Sequence, residues 1–446
     1  MSRVRPSAFV VIGGGAAGLA AATRLAEARQ RVILLEAAPQ LGGRARSFVD
    51  RATSDAIDNG QHALMGCYDE FLALLGRIGR RDALYEVELD IPFFDPVRGT
   101  ARLRCPSLPA PLHFAGGLLR YRHLSATERL SALLAGQRLV WRFGSRSRGR
   151  LDTTVASALA ALGQGANARA VLWDPLTWAT LNADPERASA RLLAAVVERA
   201  LLGSREASRF LLPAVPLSEL YAEPAAKYVE ERGGVVRRRA AADVLEVERD
   251  RVVAVRAGGE RFEATAVIAA VPPWALRRLA PAAVSLPAKL DEATPIVSVT
   301  LWLDRPVGGA PFLGLVGSET QWVFQVQRLH GEGDDAPARL ACVRSGADAW
   351  LDESTDAIAQ RALADVSRAL PIAAEARLLR ALVVKEVRAT LAPDPALQLL
   401  RPGARSGLAN LFVAGDWTDT GLPATLEGAA ASGHRAASLA LGGTAT

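Results

Sequence analysis

The sequence predicts an α/β protein with a parallel sheet, and three observations carry that reading. Strand-like and helix-like runs alternate from the first residues onward. A glycine-rich turn lies where the first strand gives way to the first helix. Half of the 446 residues are hydrophobic, in a chain too long for one simple core, so two intertwined domains are expected.

Residues 9–36 read strand, glycine-rich turn, alanine-rich helix, strand. The region from about 76 to 214 reads as mainly helical. Short strands return over 235–271, at Val235-Val236, Val244 to Val247, Val252 to Val255 and Val267 to Ala269. Ile296 to Leu303, Trp322 to Val326 and Leu340 to Val343 have the same character. A helix over roughly Asp352 to Leu370 precedes a final strand, Leu411 to Val413, and a closing helix follows Gly421. There is no internal repeat and no low-complexity linker.

Composition removes several function classes. Met1 to Ala8 is short and polar and runs directly into Phe9-Val-Val-Ile12, so no signal peptide is expected. Apolar stretches such as Val267 to Leu276 are too short to span a bilayer, and Pro272-Pro273 interrupts that one. Cys67, Cys105 and Cys342 are scattered and odd in number, as reduced thiols of a cytoplasmic protein would be. The five histidines lack metal-ligand spacing, so no metal is expected.

The net charge of +6 is local. Between Leu112 and Arg150 stand eight arginines (120, 122, 129, 138, 142, 146, 148 and 150) and one acid, Glu128, which gives +7 and leaves −1 for the rest. These arginines interleave with Leu118, Leu119, Tyr121, Leu124, Leu130, Leu133, Leu134, Leu139, Trp141 and Phe143. A basic, apolar segment of this kind suits an anionic membrane surface better than nucleic acid. A core helix with a solvated arginine face is the plainer alternative.

Three separated segments carry the chemistry. Gly13-x-Gly15-x-x-Gly18 follows a strand and opens a helix. The first glycine permits the tight turn, the second lets backbone approach a pyrophosphate, and the third packs helix on sheet. Helix N–H groups and the macrodipole then hold the phosphates. The second strand, Val32 to Leu35, ends in Glu36, an acid placed to accept from a ribose hydroxyl. Next, Leu41-Gly42-Gly43-Arg44-Ala45 adds two glycines with exposed N–H groups and a guanidinium for phosphate. A nicotinamide enzyme has no general need of that second turn; a flavin dinucleotide does. The third segment is Leu411-Phe-Val-Ala-Gly415-Asp416, followed by Gly421 to Gly433. Gly428, Gly433 and the alanines there permit close helix packing. FAD is therefore the expected cofactor, in a discontinuous Rossmann-like domain built from 1–75, 215–280 and 405–446, with an inserted α+β substrate domain from 76–214 and 281–404.

These segments resemble the FAD-dependent amine oxidase and phytoene desaturase superfamily. The resemblance implies that Asp416 binds the ribityl or pyrophosphate region and that the last helix aims its N-terminus at the flavin pyrimidine edge. N–H groups there would stabilise the negative charge of reduced flavin. It also implies cofactor contacts from Ala17, Leu422, Ala424 and Thr425, and a backbone contact to adenine near Val244.

A narrower resemblance rests on Asp58-Asn-Gly-Gln-His62-Ala-Leu-Met-Gly66-Cys-Tyr68, Leu172-Trp-Asp-Pro-Leu176, Leu181-Asn182, Ala188-Ser189-Ala190, Leu212 to Leu220 and Gly415 to Ala424. Over nearly its full length the chain resembles the hydroxysqualene dehydroxylases of hopanoid synthesis. That implies reductive loss of a hydroxyl from hydroxysqualene, giving squalene and water, with reduced FAD as hydride donor. The leaving hydroxyl must be protonated. The candidate acids are His62, Asp58, Tyr68 and Asp419, although Asp58 also suits a turn cap, His62 a plain hydrogen bond and Tyr68 the core. Trp173, Trp178, Phe210 and Trp302 are expected to line a hydrocarbon tunnel, or to be ordinary core. Amine oxidation fits less well: the strand Ile296–Leu303 lacks the lysine that many amine oxidases place near flavin N5. A carotenoid-type desaturase and a flavin-free carrier of lipidated partners are the other readings.

Overall fold

The computed structural model describes residues 7–443 except 146, 148–150, 282 and 371–375, so Arg146, Arg148 and Arg150 lie outside the described residues. Five strands form a parallel array in the order Val235–Arg237, Val32–Leu35, Ala8–Ile12, Glu260–Ala269, Leu411–Val413. Their apolar runs are buried because both faces of the sheet are covered. The helices Ala16–Glu27, Asp69–Arg77, Glu223–Glu231 and Leu426–Ala440 pack on one face. On the other lie Leu276, Leu397, Trp417 and an antiparallel extension, Ala242–Glu248 and Arg251–Ala257, which joins the near end of Glu260–Ala269. Leu391, Ala392 and Leu397, from the region expected to serve the substrate domain, sit in this cofactor-side core.

Close helix contact explains the small residues of the first and last helices. A β-carbon at Gly433 would come within 2.1 Å of the Ala17 carbonyl oxygen. At Gly18 it would stand 1.8 Å from the Gly13 carbonyl oxygen, so glycine there is a condition of the turn folding at all. Ser432 adds a tie by accepting from the Gly415 N–H at 2.9 Å.

A second seven-stranded sheet faces the first across the site. Its order is Leu378–Leu391, Ala293–Leu303, Arg339–Ser345, Trp322–Gln325, Phe312–Leu315, Asp90–Asp95, Gly99–Arg104. Helix Thr355–Ala369 covers one face through Ile358, Ala362 and Val366. The helices of 112–201 cover the other. The 76–214 region thus contains strands as well as helices: besides Asp90–Asp95 and Gly99–Arg104, Leu84–Val87 and Phe210–Pro213 pair with each other.

The basic segment forms two helices, Leu112–Arg120 and Ala126–Phe143. Ser125 and Glu128 close a capping box at the second, which fixes its start. Leu118, Tyr121, Leu124, Leu139 and Phe143 are core, whereas Leu119, Leu130, Leu134 and Trp141 are exposed. Arg129 belongs to the fold: it donates to the carbonyls of Leu119, Tyr121 and Leu124 at 2.9–3.0 Å. No helix among the described residues is long and apolar enough to cross a membrane.

Candidate active site

One cavity of about 1160 Å³ runs from the carboxyl ends of the parallel strands to the second sheet. It opens where strand order reverses about Ala8–Ile12, the place at which such sheets take ligands. Gly13, Gly15, Ala17, Glu36, Gly42, Gly43, Arg44, Gly415, Asp416, Ala424 and Thr425 all line it. Residues as far apart in sequence as Gly13 and Thr425 therefore share one wall.

The turn around Gly15 is built for a ligand. Gly15 has ordinary extended backbone, φ −77° and ψ −179°, and no side chain caps the helix that follows. A β-carbon there would find no protein atom nearer than Gly43 Cα at 4.0 Å. Neither backbone strain nor protein packing asks for glycine. What remains is open space in front of uncapped helix N–H groups, a place that can take an anion. The second glycine turn is pinned beside the first: the Gly42 N–H donates to Gly14 O at 2.8 Å, and the buried Tyr221 hydroxyl hydrogen-bonds the carbonyls of Gly42 and Ala45. Glu36 accepts from the N–H groups of Gly14 and Ala38 at 2.6 and 2.7 Å, so one carboxylate fixes the loop at the cavity wall.

Arg44 and Asp416 meet at 2.6 Å, and Arg44 also donates to Ala389 O. Burial disfavours the guanidinium's charge, but Asp416 more than offsets this and holds it above its ordinary range. Arg44, expected to meet phosphate, lines the cavity and also holds the Gly-Asp carboxylate at its wall. Two expectations shift, and Gly18 takes the packing role expected of it. Gly18 lies beneath the turn, outside the cavity; Asp243 with Ala240 to Ala242 lines it where Val244 was expected; and Leu422 borders a small neighbouring pocket while its carbonyl accepts from Arg401.

Of the four candidate acids, the fold brings two to the cavity. His62 lies in the loop between Ala56–Asp58 and Leu64–Met65, with Nδ1 2.6 Å from Gly60 O. That carbonyl can only accept, so Nδ1 carries the hydrogen and Nε2 is the atom left to hold or release a proton. Burial pushes the His62 pKa down. Tyr68 also lines the cavity, beside Thr425, and burial pushes its hydroxyl well above the usual phenol range. Asp58 and Asp419 are corrections. Asp58 accepts from the Ser47 hydroxyl at 2.7 Å and the Leu217 N–H at 3.0 Å, a bridge between segments outside the cavity, and burial raises it to about 6. Asp419 is exposed and caps its own turn through the Gly421 N–H.

The far end of the cavity is apolar. Leu192, Phe210, Ile296, Trp322, Phe324 and Val343 line it, and Phe210 stacks on Phe312 at 5.7 Å with a 2° interplanar angle. Of the four aromatics expected here only Phe210 is present. The indoles of Trp173, Trp178 and Trp302 are committed to Gln164, Asp184 and Asp55, at 2.8, 3.0 and 2.6 Å. The strand Ala293–Leu303 carries no lysine, and its neighbour Lys385 is held by the carbonyls of Leu351 and Glu353.

Sequence reading missed four supporting residues. Tyr221 follows directly on the Leu212–Leu220 stretch. Asn59 anchors the His62 loop through Arg44 O and Glu386 Oε2 at 3.0 and 2.8 Å; its place inside Asp58–Tyr68 was the available signal. Glu386, on the edge strand, and Arg401, buried behind Gly415–Leu422, carry no motif and become visible only in three dimensions.

Comparison with known proteins agrees with this geometry. The family described as flavin containing amine oxidoreductase matches residues 16–441. A hydroxysqualene dehydroxylase of Sinorhizobium fredii is 33% identical, over 99% of this chain and 100% of that one. One from Rhodopseudomonas palustris is 34% identical over 97% of each. A 15-cis-phytoene desaturase of Synechococcus elongatus is more distant, 26% identical over 95% of this chain and 93% of that one. Among solved structures, an oxidoreductase from Methanosarcina mazei superposes with a TM-score of 0.71 at 16% identity, covering 95% of this chain and 98% of that one, and shows the shared fold.

Proposed function

We propose, from the premise that this chain belongs to the flavin containing amine oxidoreductases and within them to the hydroxysqualene dehydroxylases, that it removes the hydroxyl of hydroxysqualene to give squalene and water. The observation that carries the reading is the single cavity joining a dinucleotide cradle to an aromatic and aliphatic end, with His62 on its wall. The cofactor domain comprises 1–75, 215–280 and 405–446 and the substrate domain the remainder. When bound and reduced, FAD supplies the hydride, two electrons with one hydrogen.

The chain's own residues do the rest. Phe210, Ile296, Trp322 and Phe324 take the hydrocarbon out of water. The ring faces of Phe210, Trp322 and Phe324 also stabilise positive charge that develops as the carbon–oxygen bond breaks. Protonated His62 donates from Nε2 to the departing hydroxyl, which leaves as water; Gly60 O keeps the ring oriented throughout. Gly15, Gly43, Arg44 and Asp416 hold the cofactor's phosphate and ribityl region. The expected experiment is incubation of reduced enzyme with hydroxysqualene and identification of squalene by mass spectrometry. A polyene with an additional double bond, formed from a more saturated substrate by oxidised enzyme, would favour the desaturase reading.

The protein meets its substrate at a lipid surface. Leu130, Leu134 and Trp141 fall within about 40° of one another around the Ala126–Phe143 helix and are 58%, 47% and 73% exposed. The exposed Arg120, Arg138 and Arg142 lie on the same two helices and the exposed Arg122 on the turn between them. An apolar ridge flanked by arginines suits the headgroup boundary of an anionic membrane, where hydroxysqualene dissolves.

A further inference from the structure

Arg401 is a buried cation with no ion-pair partner among the described residues. It is 7% exposed, and its guanidinium donates to Gln398 Oε1 at 2.9 Å, Leu422 O at 2.8 Å, Asp416 O at 3.0 Å and Thr418 O at 2.5 Å. All four acceptors are neutral, and Nε has no partner among the described residues. Among the described residues no carboxylate lies within ion-pair distance of it. The nearest acids are otherwise engaged, the Asp416 carboxylate by Arg44 and that of Asp419 by the Gly421 N–H.

A buried charge of this kind is costly unless something of opposite sign comes to it. Holding the 416–422 segment would not require a charge, since neutral donors serve carbonyls as well. Arg401 nevertheless lines the same cavity as Trp417, Pro423, Ala424 and Thr425, at the N-terminus of the last helix, Leu426–Ala440. Thr425 caps that helix through the Gly428 N–H, and the helix dipole adds positive potential at this end of the cavity.

We propose that Arg401 is the fixed positive charge that stabilises the reduced, anionic flavin over the oxidised one, and so sets the potential at which the cofactor holds its hydride. The proposal rests on the flavoprotein reading above. Arg401 reaches the segment that borders the flavin through Asp416 O, Thr418 O and Leu422 O, so it positions that segment as well. The two roles differ in what they do to the two redox states. A charge acts on reduced flavin far more than on neutral oxidised flavin. A scaffold acts on both alike.

The test is Arg401→Gln in the full chain loaded with FAD, with the two-electron midpoint potential measured beside the Kd for oxidised FAD. The expected result is at least tenfold weaker stabilisation of reduced relative to oxidised flavin, a midpoint about 30 mV lower. Arg401→Lys, which keeps the charge, should stay near the wild-type potential. Equal weakening of both redox states with an unchanged potential would reduce Arg401 to a scaffold and overturn the proposal. If Arg401→Gln does not fold, the wild-type reduced spectrum decides. It should be that of the anionic form at a pH where free reduced flavin is mostly neutral; a neutral spectrum there overturns the proposal. Failure of wild-type protein to bind FAD would instead overturn the flavoprotein reading itself.

Discussion

Replacing Gly15 by valine separates the fold's demands from the cofactor's. The native φ and ψ suit any residue, and a β-carbon has 4.0 Å of clearance to Gly43 Cα. The apoprotein should lose only about 1 kcal/mol, the cost of an apolar residue at a helix N-cap, or about 1 °C in Tm for a chain of this length. The valine methyls, however, enter the space where phosphate meets the helix N–H groups. Loss of two charge-assisted hydrogen bonds at about 1.5–3 kcal/mol each weakens FAD binding by about 10²–10⁴-fold. Gly18→Ala provides the contrast: its β-carbon lies 1.8 Å from Gly13 O, so that variant should fail to fold. Thermal melting of apoprotein and flavin absorbance after reconstitution read the two effects separately. Gly15→Val with full flavin occupancy would refute the phosphate-turn assignment.

Three further outcomes are expected. His62→Gln should retain FAD but lower the rate of flavin reoxidation by substrate about 10²–10⁴-fold. Because burial lowers the His62 pKa, the wild-type rate should climb as pH falls below the usual histidine range; a flat profile counts against His62 as the acid. Asp58→Asn should keep its activity, since one amide oxygen can accept from both Ser47 and Leu217 as Asp58 Oδ1 does. Asp58 is raised from 3.8 to about 6, so its favourable contribution is complete below pH 3.8 and lost as pH rises through 6. The asparagine variant should therefore be about 1–3 kcal/mol more stable than wild type at pH 8, a gain that disappears near pH 4 in urea titrations. Arg120, Arg122, Arg138 and Arg142 changed together to Gln should reduce flotation with anionic liposomes, at about 1 kcal/mol per arginine and less in high salt; undiminished flotation would remove the membrane assignment.

The dinucleotide half was legible because its constraints are local. Gly13 to Gly18, Glu36 and Gly415-Asp416 each follow a strand within a few residues, so spacing alone places them at strand ends. The substrate half is assembled from distant strands, and there residue type misled. Trp173, Trp178 and Trp302 look like tunnel lining, yet each indole N–H was committed to a polar side chain that spacing cannot reveal. Trp322 and Phe324 were visible as part of a strand, but not which sheet face they occupy. The Leu378–Leu391 strand escaped because its charged residues break the alternation, being a half-buried edge. Arg129 read as surface charge until its three carbonyl partners were placed. Asp58 and Asp419 share acid chemistry with the residues that line the cavity, and only burial and partners distinguish a structural carboxylate from a proton donor.

The direction of electron flow is the most direct test of dehydroxylation. Enzyme reduced anaerobically in heavy water, so that the exchangeable N5 position of the flavin carries deuterium, is mixed with one equivalent of hydroxysqualene while flavin absorbance is followed. Dehydroxylation predicts return of the oxidised flavin spectrum and one squalene per flavin, with deuterium at the carbon that bore the hydroxyl. Flavin that stays reduced with hydroxysqualene untouched, while oxidised enzyme is bleached by a more saturated polyene, would contradict it.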